Sequence, residues 1–221
     1  MSKLKIFISG SGYFGDSVLS LCNKLGHEVV GVSVPVSDKY IGKTASGWGI
    51  PIIPSGSLNA ENFPDGVDLG ITAHSFDYVG KKTRYRPKHG WIGFHPSLLP
   101  RHRGRSSIEW AIKMNDAITG GTVFWLNSGI DRGNIAYQDW CWISPEVKAL
   151  GSKKGASKLW QSDLQKIGLT LFEKAINDIS KGVIISEPQR KDVSTFEPST
   201  NVKDVYKPDL LMLEEKCYGI Q

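Results

Sequence analysis

Residues Lys5–Ser9 (KIFIS) form a short apolar run that ends at Gly10, and apolar residues then recur at helical spacing as Val18, Leu19, Leu21, Cys22 and Leu25. A run of this length bounded by glycine reads as a buried strand. The spacing after it reads as a helix, Asp16–Leu25, stopped by Gly26. Between strand and helix lies Gly10-Ser11-Gly12-Tyr13-Phe14-Gly15. A strand feeding through a tight glycine loop into a helix leaves few folds open, because the helix must fold back onto the sheet that the strand begins.

That loop has the form GxGxxG. Glycines let the backbone approach a phosphate, and a helix N-terminus supplies N–H donors and a positive dipole. A dinucleotide site also requires an acid closing the second strand. Here that strand ends Val32-Ser33-Val34-Pro35, with Asp38 beyond the proline, so NAD is disfavoured. Two readings stay open: a turn kept tight for packing, or a seat for an anionic group on another ligand.

The same alternation continues along the chain. Glu28–Pro35, Ile50–Pro54, Val67–Ala73 and Trp91–Phe94 read as strands. Ser106–Lys113 reads as a helix capped by Ser106 or Ser107, with Glu109 in its first turn. Gly121–Asn127 and Gly133–Ile143 are rich in aromatic and β-branched residues, and read as strands around a turn at Ser128–Arg132. Lys158–Ser180 is the longest helix candidate, and Val183–Ser186 is a last short strand. Strands alternating with helices predict an α/β domain with a mainly parallel sheet and helices on both faces. In such sheets ligands bind beyond the carboxyl ends of the strands. The expected domain is 1–186, with a C-terminal extension 187–221 whose apolar patch Lys207–Glu214 could dock on the core or on a partner.

Charge is distributed unevenly. The net charge is +5, yet residues 81–105 hold eight Lys/Arg and no acid, so the rest of the chain is net acidic. The stretch reads either as a solvated basic loop or as a seat for a specific anionic ligand, and nucleic acid is disfavoured. No apolar run approaches the ~20 residues a membrane span needs. The three cysteines (Cys22, Cys141, Cys217) are an odd number and widely spaced, which fits a reducing, cytoplasmic compartment and predicts no metal site.

Two further segments carry candidate chemistry. In Phe94-His95-Pro96-Ser97-Leu98-Leu99-Pro100, a histidine directly follows a strand and two prolines bar a helix. Such a histidine is either structural or an imidazole held in a cleft. In Gly129-Ile130-Asp131-Arg132-Gly133-Asn134, Asp131 is a turn former unless it meets His95, where a carboxylate would suit general acid–base work.

Together these residues resemble the folate-dependent formyltransferase family. The likeness rests on His95-Pro-Ser-Leu-Leu-Pro followed by Arg103-Gly104, on the Gly129–Gly133 turn, and on the 36-residue spacing between His95 and Asp131. It is greatest to the hydrolase domain of 10-formyltetrahydrofolate dehydrogenase, on the string HPSLLPRHRG. The resemblance implies a Rossmann-like sheet of the formyltransferase fold and 10-formyltetrahydrofolate as formyl donor. It implies that His95 and Asp131 are catalytic, with His95 stabilising the oxyanion. It implies a donor cleft formed by Phe76, Tyr78, Val79, Leu126, Asn127, Gly129 and Ile130. Gly10, Gly12, Tyr13, Phe14 and Arg103 would face the acceptor, a small amine that is phosphorylated or nucleotide-linked. A homo-oligomer is left open.

There is one departure. Formyltransferases of the family carry Asn two residues before the histidine, where this chain has Gly93. Losing such a donor typically costs about 3–4 kcal/mol, unless water fills the gap. The expected reaction is therefore formyl transfer to an amine, with hydrolysis to tetrahydrofolate and formate, or an inactive folate- or nucleotide-binding protein, as alternatives.

Overall fold

The computed structural model describes residues 2–200, so the apolar patch Lys207–Glu214 lies outside the described residues. Seven strands form one sheet: β1 (Lys5–Gly10), β2 (Glu28–Val34), β3 (Ile52–Pro54), β4 (Leu69–Ala73), β5 (Trp91–His95), β6 (Ile118–Trp125) and β7 (Ile135–Trp142). Their order is β3-β2-β1-β4-β5-β6-β7. The first five are parallel, whereas β6 runs antiparallel to both β5 and β7. This is the expected mainly parallel α/β sheet.

Alternation along β1 assigns the two faces. Ile6 and Ile8 point into the larger core with Ile71, Ile92 and Val123. That face is covered by α1 (Gly12–Lys24), through Val18 and Leu19, and by α7 (Gln165–Ser180), through Phe172 and Ile176. Phe7 points the other way, into a smaller cluster with Phe63, Val79 and Trp91. Connecting loops and the single turn of α3 (Lys81–Arg84) cover this second face, with the Trp91 indole N–H donating to the Thr83 carbonyl. A third cluster joins α4 (Ser107–Lys113) to α6 (Ser152–Leu159) through Ala111, Ile112 and Leu159.

The structure differs from the sequence reading in several elements. α1 begins at Gly12, so the glycine loop is itself the first helical turn. Two further short helices lacked a periodic signal, α2 (Ile41–Gly47) and α5 (Pro145–Ala149), as did α3. The long helix starts at Ser152 and carries a π-helical turn at Trp160–Leu164. One extra residue in that turn lets both Leu159 and Leu164 face α4, while Leu171, Phe172 and Ile176 face the sheet. Ser106 occupies the N-cap position of α4 without capping it; its hydroxyl accepts instead from Thr200 N. No strand forms at Val183–Ser186. The Ile185 carbonyl is taken by the Trp125 indole at 2.8 Å, and only Glu187 bridges to Ile135 of β7.

Candidate active site

The glycine loop closes on itself. A Cβ on Gly10 would stand 2.8 Å from the Ala73 carbonyl, so glycine there lets α1 and β4 approach. The helix N-terminus already holds an anion: Gly12 N donates to Asp38 Oδ2 at 2.6 Å, and Tyr40 N and Gly42 N donate to Oδ1. A phosphate would meet this carboxylate, so the packing reading of the loop prevails. Phe14, expected on the acceptor side, is buried against Phe94, Trp160 and Phe172 and offers a ligand no surface. Tyr13 remains exposed beside Tyr40.

His95 is the last residue of β5, at the carboxyl edge of the sheet, and is 7% exposed. Its Nε2 lies 2.7 Å from the His102 carbonyl oxygen. A carbonyl only accepts, so Nε2 carries the proton and Nδ1 faces the other way. Opposite Nδ1, at 3.5 Å, stands Asp131 Oδ2. The same oxygen accepts from Gly104 N at 2.8 Å. The expected meeting of Asp131 with His95 is thus present. The gap is too long for a good direct hydrogen bond, and an oxygen lying beside the pair can be reached by both groups. Asp131 sits at φ +52°, a left-handed conformation that turn-forming Asp tolerates better than most residues.

The basic stretch does not form a continuous cationic surface. Arg101 pairs with Asp116 through Nε at 3.0 Å and Nη2 at 2.7 Å. His102 is buried between Asp116 Oδ2, 2.7 Å from Nε2, and Glu197 Oε1, 3.1 Å from Nδ1. Burial opposes charge on this imidazole, but the two carboxylates outweigh it and raise its pKa. Arg103, expected to face the acceptor, is 5% exposed and donates to Gln189 Oε1 from Nε and Nη2. Its guanidinium points into the protein, so the cleft-lining expectation for Arg103 is corrected. Lys81, Lys82, Lys88 and Arg105 keep exposed charges.

The expected donor-cleft residues divide. Phe76, Tyr78 and Ile130 are exposed. Leu126 and Asn127 line a cavity of about 630 Å³ together with Lys81, Arg84, Tyr85 and Trp91. Asn127 Oδ1 accepts from Gly129 N at 2.9 Å, which shapes the turn. Val79 is a core residue beside Phe7 and Trp91, and so supports the wall rather than forming its surface.

Gly93 leaves no room for a side chain unless its neighbours shift. A Cβ there would fall well inside contact distance of Thr72 Oγ1 and 2.9 Å from Leu126 Cδ1. Thr72 pairs with Gly93 across β4 and β5, and its hydroxyl occupies the space. Sequence reasoning missed this group, because a threonine in a strand carries no functional signal. It also missed Gln189 and Glu197, which lie in the segment set aside as an extension.

Residues 57–153, which hold both His95 and Asp131, match the formyl transferase family model. Over these residues the chain is similar to the formyl transferase family. Cytosolic 10-formyltetrahydrofolate dehydrogenase of Mus musculus is 30% identical over 208 residues, which is 88% of this chain and 22% of that protein. Methionyl-tRNA formyltransferase of Halothermothrix orenii is 34% identical over 153 residues, covering 67% of this chain and 46% of that protein. Among solved structures, an N-formyltransferase of Helicobacter canadensis in complex with folinic acid and dTDP-3-aminofucose superposes with a TM-score of 0.72 at 18% identity, covering 90% of this chain and 72% of that one. The chain therefore spans about a fifth of the length of the dehydrogenase, at 22%. The last superposition shows the formyltransferase fold.

Proposed function

We propose that the protein takes a formyl group from 10-formyltetrahydrofolate and passes it to the amine of a small acceptor. The observation that carries this is the His95–Asp131 pair at 3.5 Å, at the carboxyl edge of the sheet. The pair sets a donor and an acceptor side by side. In its doubly protonated form His95 would donate Nδ1–H to the formyl oxygen as that oxygen gains charge, with Nε2–H anchored on the His102 carbonyl. Asp131 would accept the proton that the attacking amine releases and pass it to the donor's N10 nitrogen as the bond from N10 to the formyl carbon breaks and tetrahydrofolate leaves. The match of residues 57–153 to the formyl transferase family supports this chemistry, as does the folinic acid complex of the Helicobacter canadensis protein. Leu126, Asn127, Gly129 and Ile130, together with the exposed Phe76 and Tyr78, would receive the donor's rings. Gly12 and the exposed Tyr13 would face the acceptor. Because Asp38 already occupies the helix N-terminus, the acceptor's amine and ring matter there more than a phosphate.

Hydrolysis of the same donor is a second reading, favoured by Gly93 and by the likeness to the dehydrogenase. One experiment separates the two. The protein is incubated with 10-formyltetrahydrofolate alone and with a panel of aminosugar nucleotides and other small amines, while tetrahydrofolate, formate and N-formyl product are measured. N-formyl product supports transfer. Formate at equal rate with and without amines supports hydrolysis. Donor left unconsumed in every arm defeats both.

A further inference from the structure

We infer that Gln189 is a positioning residue for Asp131. Its carboxamide is fully used: Nε2 donates to the carbonyls of Asp131 at 2.8 Å and Gly133 at 2.7 Å, while Oε1 accepts from Arg103 Nε at 3.1 Å and Nη2 at 2.7 Å. An amide has two N–H donors and one oxygen with two lone pairs, so this geometry leaves it no other role. The two carbonyls it holds belong to the turn that keeps Asp131 at φ +52°, a conformation that persists when its surroundings hold it. The guanidinium it holds belongs to Arg103, the residue before Gly104, whose N–H donates to Asp131 Oδ2. One side chain thus joins the two segments that converge on the carboxylate facing His95 Nδ1.

Gln189 is itself held. Glu187 exchanges two backbone hydrogen bonds of 2.8 Å with Ile135, and downstream Thr195 O accepts from Arg103 N at 3.2 Å. The segment after Glu187 therefore passes from the start of β7 to the loop that carries His102 and Gly104. The inference about geometry stands on the structure alone; its kinetic consequence rests on the proposed function.

The test uses two variants. Gln189→Glu keeps the volume and an acceptor for Arg103 but withdraws both N–H donors. Gln189→Met keeps the length and withdraws every polar contact, and carries the comparison if the first variant fails to fold. The readout is the pair of imidazole 15N resonances of His95, followed in wild type, both variants and Asp131→Asn, with folding checked by thermal melt. The Nδ1 resonance is expected to move toward its Asp131→Asn position while Nε2, anchored on the His102 carbonyl, stays. With 10-formyltetrahydrofolate, kcat is expected to fall roughly tenfold or more at unchanged donor KM, as a displaced catalytic group requires. In an Asp131→Asn background the Gln189 substitutions are expected to cost nothing further. An unmoved Nδ1 resonance in a folded variant, or a loss fully additive to that of Asp131→Asn, overturns the inference. A wild-type protein that consumes no donor defeats the proposed function, and the resonance comparison still decides the positioning.

Discussion

His95 Nε2 is tied to the His102 carbonyl oxygen at 2.7 Å, so the imidazole enters the site with one nitrogen committed and only Nδ1 available for chemistry. Since Nδ1 faces Asp131 at 3.5 Å, the orientation of the ring decides whether donor and acceptor stand side by side.

His95→Ala is expected to cut donor turnover at least about 10²-fold, the scale of a lost oxyanion donor or general acid–base group. His95 lies at the end of β5 rather than in a hydrophobic cluster, so the fold is expected to survive. Donor consumption and a circular dichroism melt check both halves. Near-normal turnover in the folded variant removes His95 from the mechanism.

Asp131→Asn preserves shape and an acceptor for Gly104 N but removes the charge facing Nδ1. It is expected to lower kcat by about 10²-fold or more with little change in donor KM. A rise in KM at constant kcat shows instead that Asp131 serves only to bind the donor.

The pH dependence of stability follows from His102 and Asp116. The folded-state pKa of His102 is raised above its ordinary value of 6.5, so its contribution is complete below that value and is lost as pH rises through the folded pKa. Burial works against the Asp116 carboxylate, yet Arg101 and His102 hold its pKa below 3.8; its contribution is present above 3.8 and is lost as pH falls through the folded value. Melting temperature is therefore expected to fall on both sides of a mildly acidic plateau. His102→Gln is expected to flatten the alkaline decline. An alkaline limb unchanged in that variant assigns the decline to another group.

Gly93→Asn is expected to destabilise the protein rather than restore a missing catalytic amide. The new Cβ meets Thr72 Oγ1 and Leu126 Cδ1 in a packed site, and overpacking of this kind typically costs about 1–3 kcal/mol. Thr72→Ala in the same chain should recover part of the loss. A Gly93→Asn variant that melts like wild type shows that the site adapts without cost.

Asp38→Ala removes the acceptor for three backbone N–H groups at the starts of α1 and α2. A lost cap costs about 0.5–2 kcal/mol. Chemical denaturation of this variant against Asp38→Asn measures it, and equal stability of Asp38→Ala and wild type refutes the capping role.

Much of the fold was legible because its signals are local. The apolar run of β1, the helical spacing of Val18, Leu19 and Cys22, and the proline-flanked His95 at the end of β5 each depend on neighbours a few residues away. The turn at Asp131 was legible for the same reason. Short helices such as α2 and α3 were not, since one or two turns hold too few residues to show a period.

By itself the sequence determined an α/β chain with His95 at the ligand edge of its sheet and Asp131 in a glycine-flanked turn, because strand and turn propensities are set residue by residue. Only the tertiary structure decided how that edge is built. Asp38 reaches back 26 residues to fill the helix N-terminus that the glycine loop had seemed to offer a phosphate. Gln189 reaches 58 residues to the Asp131 carbonyl. Glu197 closes on His102, and Thr72 occupies the volume beside Gly93. Each of these contacts joins segments brought together by the packing of the whole sheet, and no residue type or spacing announces a partner that the chain meets only after it has folded.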